Sequence, residues 1–272
     1  MGNRNAVLAA VSALAFATLT ACGGGDSAEN TAGPMRPDTI GGHPNLGGVW
    51  QALNSANWNL EAHAAEALDE FWRLGAIGAI PPGRSVVVEG SIPYRPEGLV
   101  QREANRAGWP KADPETLCYL PGIPRASYMP YPFRILQTES DILFVYSYHS
   151  ANRLVEMDEP LVPPIDTWMG QSNGHWEGET LVIETTGLNG KAWLDRAGNH
   201  VSSNAVITER LTLMSPDHID YRATISDPTV FATDWTVRMP LYRNIEENAQ
   251  ILEHKCVPFV ENLLYSDLIG LE

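Results

Sequence analysis

Basic residues are few and nowhere gathered. Lys and Arg total 18 against 33 Asp and Glu, for a formal net charge of −15. Phosphate backbones are bound by clustered Lys and Arg, so the composition argues against a nucleic-acid partner. Acidity of this size favours solubility. Metal-binding spacings are also missing: the seven histidines form no HxH or HExxH, and the three cysteines form no CxxC. No metal is expected, although a dispersed His/Asp set would leave no such signature. Gly170 and Gly174 lack the Lys and the strand–helix setting of a phosphate loop, and no cofactor is expected. Ser172, in Gly170-Gln171-Ser172-Asn173-Gly174, lacks the strand-to-helix setting of a nucleophile elbow and reads as a turn residue. The apolar run Ala6 to Thr18 is too short to span a bilayer. No internal repeat and no α/β alternation is visible.

That apolar run has the length of a signal h-region, with Arg4 before it and Leu19-Thr20-Ala21-Cys22-Gly23 after it. A large apolar residue, two small or polar ones and a Cys resemble a lipobox, which implies cleavage before Cys22 and a lipid on its sulfur. The alternative is a plain signal peptide with a chance Cys. The expected organisation is a lipoprotein signal peptide over 1–21, a flexible tether over 22–44 carrying an exposed His43, and one domain over 45–272. The expected location is the periplasm, anchored by lipid to the inner or outer membrane. With Cys22 lipidated, Cys118 and Cys256 remain. Exported chains mature where disulfides persist, so these two either pair or stay as buried thiols.

Hydrophobic content of 44% suits a globular body. Leu60, Ala64, Ala67, Leu68, Phe71, Trp72 and Leu74 fall near a 3.6-residue repeat, which predicts a helix over Asn59 to Leu74 that Gly75 ends. A long proline-rich segment follows over 75–132. In it, Cys118 to Arg125 and Tyr128 to Pro132 are stiffened by prolines and read as a lid or pocket wall, or as a segment draped over the domain. From Phe133 onward strand patterns dominate: Phe133 to Thr138, Ile142 to His149, Asn152 to Met157, Leu181 to Thr186, Val206 to Met214, Ile219 to Ser226, Trp235 to Tyr242 and Gln250 to Cys256. The fold class is therefore mainly β, an antiparallel barrel or strongly curved sheet of lipocalin-like form with one N-terminal helix.

Strand alternation places the polar groups. Glu209 shares its face with Ile207, Leu211 and Leu213, and Arg153 shares its face with Val155 and Met157. An unpaired charge on an apolar face is costly, so the two are expected to meet. They form either a structural ion pair or the polar floor of a ligand cavity, with Glu209 as base. Tyr146 and Tyr148 share a face with Ile142 and Phe144, as pocket walls or as core. Between Trp168 and Arg210, three tryptophans stand among turn glycines and ionisable groups, a mixture that suggests a pocket. There Asn189, Trp193, Asp195 and His200 form either an acid/base loop over a cavity or a surface hairpin tip.

Several of these runs together resemble a known group: Tyr94-x-Pro96, Asp113-Pro114 before Cys118, Pro-Gly-Ile-Pro-Arg125, Tyr131-Pro132, Arg153, Thr167-Trp168-Met169-Gly170, Gly174-x-Trp176-Glu177-Gly178-x-Thr180-Leu181, Asn189, Trp193-x-Asp195, Thr208-Glu209-Arg210 and Asp227-Pro228. The chain after Trp50 resembles a large, mostly uncharacterised family of exported bacterial β-rich, lipocalin-like proteins, numerous in soil bacteria and degraders of aromatic compounds. In that family's pattern a His directly precedes a Ser ahead of Thr-Glu-Arg. Here Val201 precedes Ser202, and His200 stands one residue earlier. The resemblance implies a small aromatic or hydrophobic partner.

The functional expectation is a lipid-anchored enzyme performing cofactor-independent lyase or isomerase chemistry on an aromatic compound, such as a lignin-derived diaryl. Glu209, Arg153, Asp195 and His200 are the catalytic candidates. Trp168, Trp193, Tyr146, Tyr148, Arg125, Tyr131 and Asn189 are the substrate-binding candidates. The alternatives are a non-catalytic carrier lipoprotein for a hydrophobic molecule and an envelope scaffold without a ligand.

Overall fold

A computed structural model describes residues 38–68 and 79–258. The expected signal peptide, the lipidation at Cys22 and the tether as far as residue 37 lie outside the described residues.

Two short strands, β1 (Thr39–Ile40) and β2 (His43–Pro44), pair as a hairpin where tether was expected. His43, expected to be exposed, is half-buried there, its ring stacked on Trp176 at 4.5 Å. Next come β3 (Gly48–Ala52), β4 (Glu66–Ala67), β5 (Ala79–Ile80) and helix α1 (Pro96–Gly108). The strands β6 (Phe133–Gln137), β7 (Ile142–Tyr146), β8 (Asn152–Glu156), β9 (Gln171–Glu177), β10 (Thr180–Thr186), β11 (Val206–Ser215), β12 (His218–Ser226) and β13 (Trp235–Arg243) follow. β3 and β6 to β13 close into a barrel in the order β10-β11-β12-β13-β3-β6-β7-β8-β9. This is the mainly β, lipocalin-like barrel expected. Its junctions are antiparallel except β8–β9, which is parallel over Val155↔Ser172 and Glu156↔Asn173.

The period-2 pattern explains the core. β11 buries Ile207, Glu209 and Leu211; β12 buries Ile219, Tyr221, Ala223 and Ile225; β13 buries Trp235, Val237, Met239 and Leu241. All but Glu209 join Trp50, Phe133 and Phe144 in one continuous apolar cluster. Each buried Val, Ile, Leu, Met or Phe side chain among them contributes about 1.5–3 kcal/mol by leaving water.

Three expectations need correction. The helix is not at Asn59 to Leu74. Residues 59–68 are irregular apart from β4, and the rest of that range lies outside the described residues. The described helix is α1, which starts with Pro96 at its first turn and buries Gly98 and Asn105 instead of an apolar stripe. A side chain at Gly98 would come within 2.6 Å of the Val230 carbonyl, so the helix docks through close backbone approach that periodicity cannot signal. Gln250 to Cys256 is not a strand: it makes a single bridge, His254 to Tyr148, and is held by the Cys118–Cys256 disulfide. Ser172 is not in a turn but is the second residue of β9.

The proline-rich run ends in a plug. Ile123, Arg125, Ala126, Ser127, Tyr128 and Met129 are all buried, around a 3-10 turn at Arg125–Ser127.

Candidate functional site

Glu209 points into the barrel, as strand alternation requires. Its carboxylate meets the Arg153 guanidinium, with which it forms a fully buried ion pair. It also accepts from the Tyr221 hydroxyl at 2.7 Å and, more weakly, from the Ser127 hydroxyl of the plug at 3.5 Å. Arg153 donates from Nε to Ser172 Oγ at 2.7 Å and from Nη2 to Thr185 Oγ1 at 2.8 Å, and lies 5.4 Å from the Phe144 ring centre. Every member of this group is buried. Burial works against the Arg153 charge, but Glu209 outweighs it and holds the guanidinium above its ordinary range. Burial, with the Glu209 charge, pushes the Tyr221 phenol well up. Burial raises Tyr146 too, against the pull of Arg153. Both phenols are therefore neutral hydrogen-bond donors.

The Tyr146 hydroxyl and Arg153 Nη1 make no hydrogen bond of ordinary geometry, but the two side chains lie against each other, with Ser127 beside the phenol. Buried polar groups in native proteins are nearly always paired, so this spot draws notice.

A second polar cluster anchors the plug. Arg125 donates to both Asp113 oxygens at 3.1 and 3.2 Å, to Glu115 at 2.9 Å and to Asn57 at 2.9 Å. Arg196 donates twice to Glu115, each bond 2.7 Å. Burial would raise Glu115, but Arg196 and Arg125 overcome it and hold the carboxyl at about 2. Arg125, expected to bind substrate, thus has Nε, Nη1 and Nη2 engaged by protein partners. The Cys118–Cys256 disulfide lies beside this cluster. Tyr148 donates to the Glu115 carbonyl at 2.7 Å and approaches Cys256 Sγ at 3.6 Å. Tyr146 and Tyr148 do not share a strand face: β7 ends at Tyr146, and Tyr148 leads into a turn where His149 and Ser150 have positive φ of 53° and 50°.

Asp195 belongs to a third group. It accepts from the backbone N–H of Leu60, Ala197 and Asn199 and from the Asn199 side chain, at 2.6 to 3.1 Å. Burial lifts its carboxyl to about 6 against these bonds. Tyr94 donates to Asn199 at 2.9 Å and stacks beside His200 with ring centres 5.9 Å apart. Burial lowers the His200 imidazole. Neither Asp195 nor His200 has a hydrogen bond to Glu209. The remaining binding candidates are also dispersed: Trp168 stacks on Tyr119 at 4.9 Å, Tyr131 packs on His254 at 4.3 Å, Trp193 bridges to His200, and Asn189 accepts from the Lys191 backbone at 3.0 Å. Among the described residues, aromatic contact with the Glu209–Arg153 pair comes from Tyr221, Tyr146 and Phe144.

The sequence reading brought Glu209 and Arg153 together, named Tyr146 only as a pocket wall or core residue, and missed Tyr221, Ser127, Ser172 and Thr185. Tyr221 was within reach, because it alternates with Ile219 and Ala223 on an inward face. Compared with models of protein families and with curated proteins, the chain matches none.

Proposed function

We propose that this protein is an exported, lipid-anchored barrel enzyme of lyase or isomerase type, acting without a cofactor on a small oxygen-bearing aromatic molecule. The observation that carries the reading is a buried carboxylate, Glu209, held among the Arg153 guanidinium and the Tyr221 and Tyr146 phenols inside the barrel. A substrate oxygen admitted there when the plug opens takes hydrogen bonds from Arg153 and Tyr146 in place of their contact with each other. Glu209 then takes a proton from the substrate, the electron pair moves onto the bound oxygen, and Arg153 and Tyr146 stabilise the negative charge. Return of the proton at another position completes an isomerisation; departure of a leaving group completes a lysis. Asp195 and His200 hold the surrounding loop, and the plug must open for substrate to enter. The apolar leader, the lipobox-like run and the resemblance to exported β-proteins support the envelope location.

The test is incubation of the purified protein with aromatic monomers and diaryl dimers, followed by mass spectrometry. Glu209→Gln should lower turnover by about 100-fold or more, the range of a general base. Tyr146→Phe removes no charge, so it should lose about 10-fold or more in rate with its melting temperature nearly unchanged. Recovery of bound but unaltered ligand would make the protein a carrier. Full activity in both variants would make the pair structural.

A further inference from the structure

We infer that the outer wall of β6, β7 and β8 is a docking surface for the chain's own C-terminal segment, residues 259–271. A sheet face turned to water normally carries polar side chains. This wall instead presents Leu136, Leu143 and Leu154, which are cross-strand partners in register on three adjacent strands, with Val145 beside them. Leu136 is 43% exposed and Leu154 56%. Leu161 extends the row over β9, where Asn173 holds it by two hydrogen bonds. A contiguous exposed apolar patch of this kind marks an interaction surface.

The place where the described chain ends points to the occupant. Ser147, the residue after β7, donates to the Leu252 carbonyl, and His254 bridges to Tyr148. Cys256 is held by the disulfide, its Sγ 3.6 Å from the Tyr148 hydroxyl. The chain thus passes Pro258 close to the end of β7, whose outward side chains lie on this wall. In the sequence beyond, Val260, Leu263, Leu264, Leu268 and Leu271 stand at i, i+3, i+4, i+8 and i+11, one stripe of a helix. Pro258 suits a first helical turn and Gly270 an end. Such a helix spans about 20 Å and the β7 wall about 17 Å, so the reach suffices. A helix this short is marginal in water by itself and needs an apolar surface.

Charge selects the same occupant. Asp267 falls inside the apolar stripe, and the segment also carries Glu261 and Glu272 but no Lys, Arg or His. Among the described residues, the outward side of β6, β7 and β8 offers one cation, the exposed Arg134. A second copy is a poorer fit, because a stable interface buries about 800 Å² per partner, more than these few side chains supply. An anionic bilayer is opposed by the net charge of −15. The docking is independent of any chemistry at Glu209.

The experiment is photo-crosslinking of the purified full chain with benzoylphenylalanine in place of Leu264, mapped by mass spectrometry. The products should join position 264 to peptides covering 133–156. In a mixture of ¹⁵N-labelled and unlabelled protein they should lie within one chain, and added phosphatidylglycerol vesicles should leave them unchanged. Limited chymotrypsin digestion is a second readout. Cleavage within 259–271 should be about 10-fold or more faster in Leu154→Asp, the effect of losing one buried leucine contact. Leu154 is exposed on the barrel, so this variant keeps its core. Met214→Asp, at another exposed apolar position on β11, should be cleaved as the native protein is. Products between chains would make the wall a dimer interface, and products on lipid would make the segment a membrane element; either overturns the inference. It is overturned as well if the products fall only outside 133–156, or if Leu154→Asp is cleaved no faster than the native protein.

Discussion

Buried arginines in this protein face carboxylates, whereas the buried Asp195 and Asp227 are held by N–H and O–H donors. Arg153 faces Glu209, and Glu115 faces both Arg125 and Arg196. Removing one partner of such a pair typically costs about 3–5 kcal/mol, because the other charge stays out of water. Protonating Glu115 does the same thing by pH. Its carboxyl titrates at about 2 in the folded chain against an ordinary 4.5. The stability it contributes is therefore fully present above pH 4.5 and is lost as pH falls through about 2. Two and a half units correspond to about 3 kcal/mol. Asp195 has the opposite sign: lifted to about 6 from 3.8, it opposes folding progressively as pH rises from 4 to 6. Urea melts at a series of pH values should thus show a steep loss below pH 4.5. Glu115→Gln should be less stable at neutral pH and should lack that acid limb. An unchanged acid limb in the variant would show that other carboxylates control it. Glu209 itself was legible in the sequence because an acid on an apolar strand face is a physical anomaly. Arg125 was legible as a fixed residue but not as an anchor, since its partners Asp113 and Asn57 are 12 and 68 positions away.

At the scale of elements, strands that alternate could be read and elements that dock through small residues could not. β11, β12 and β13 follow the alternation closely. β9 does not, because Gly174 interrupts it where β9 runs parallel to β8. A side chain at Gly174 would lie 2.5 Å from Val155 Cγ1 and 2.7 Å from Met157 Sδ, so the glycine lets two strands approach. Helix α1 escaped notice for the same reason, docking at Gly98. Gly174→Ala should then force the β8–β9 junction apart and cost about 1–3 kcal/mol, the usual range for overpacking. Its effect should be local. Amide exchange should quicken in β8 and β9 and stay unchanged in β12 and β13. Melting unaltered by the substitution would mean that Val155 and Met157 simply move aside.

For the whole molecule, closure raises the question of entry. The closed strand order leaves the barrel without edges, and Ser127 of the plug reaches the carboxylate inside. Access to Glu209 thus depends on the plug moving while the barrel stays shut. The plug is fastened from outside, by Arg125 to Asp113 and Glu115 and by the disulfide that ties Cys118 to Cys256 across 138 residues. Closing so long a loop restricts the unfolded chain and is worth about 4–5 kcal/mol in the chain-entropy model. If plug and barrel are distinct cooperative units, loosening the fastening should free one and not the other. In Cys118→Ser/Cys256→Ser, hydrogen–deuterium exchange should accelerate in peptides covering 122–129. Peptides from β11 and β12 should keep their protection at temperatures well below the melt. Parallel acceleration in all of them would mean that the plug is part of the barrel core and opens only when the barrel unfolds. In that case no substrate could reach Glu209 in the native state, and the carboxylate would serve packing alone.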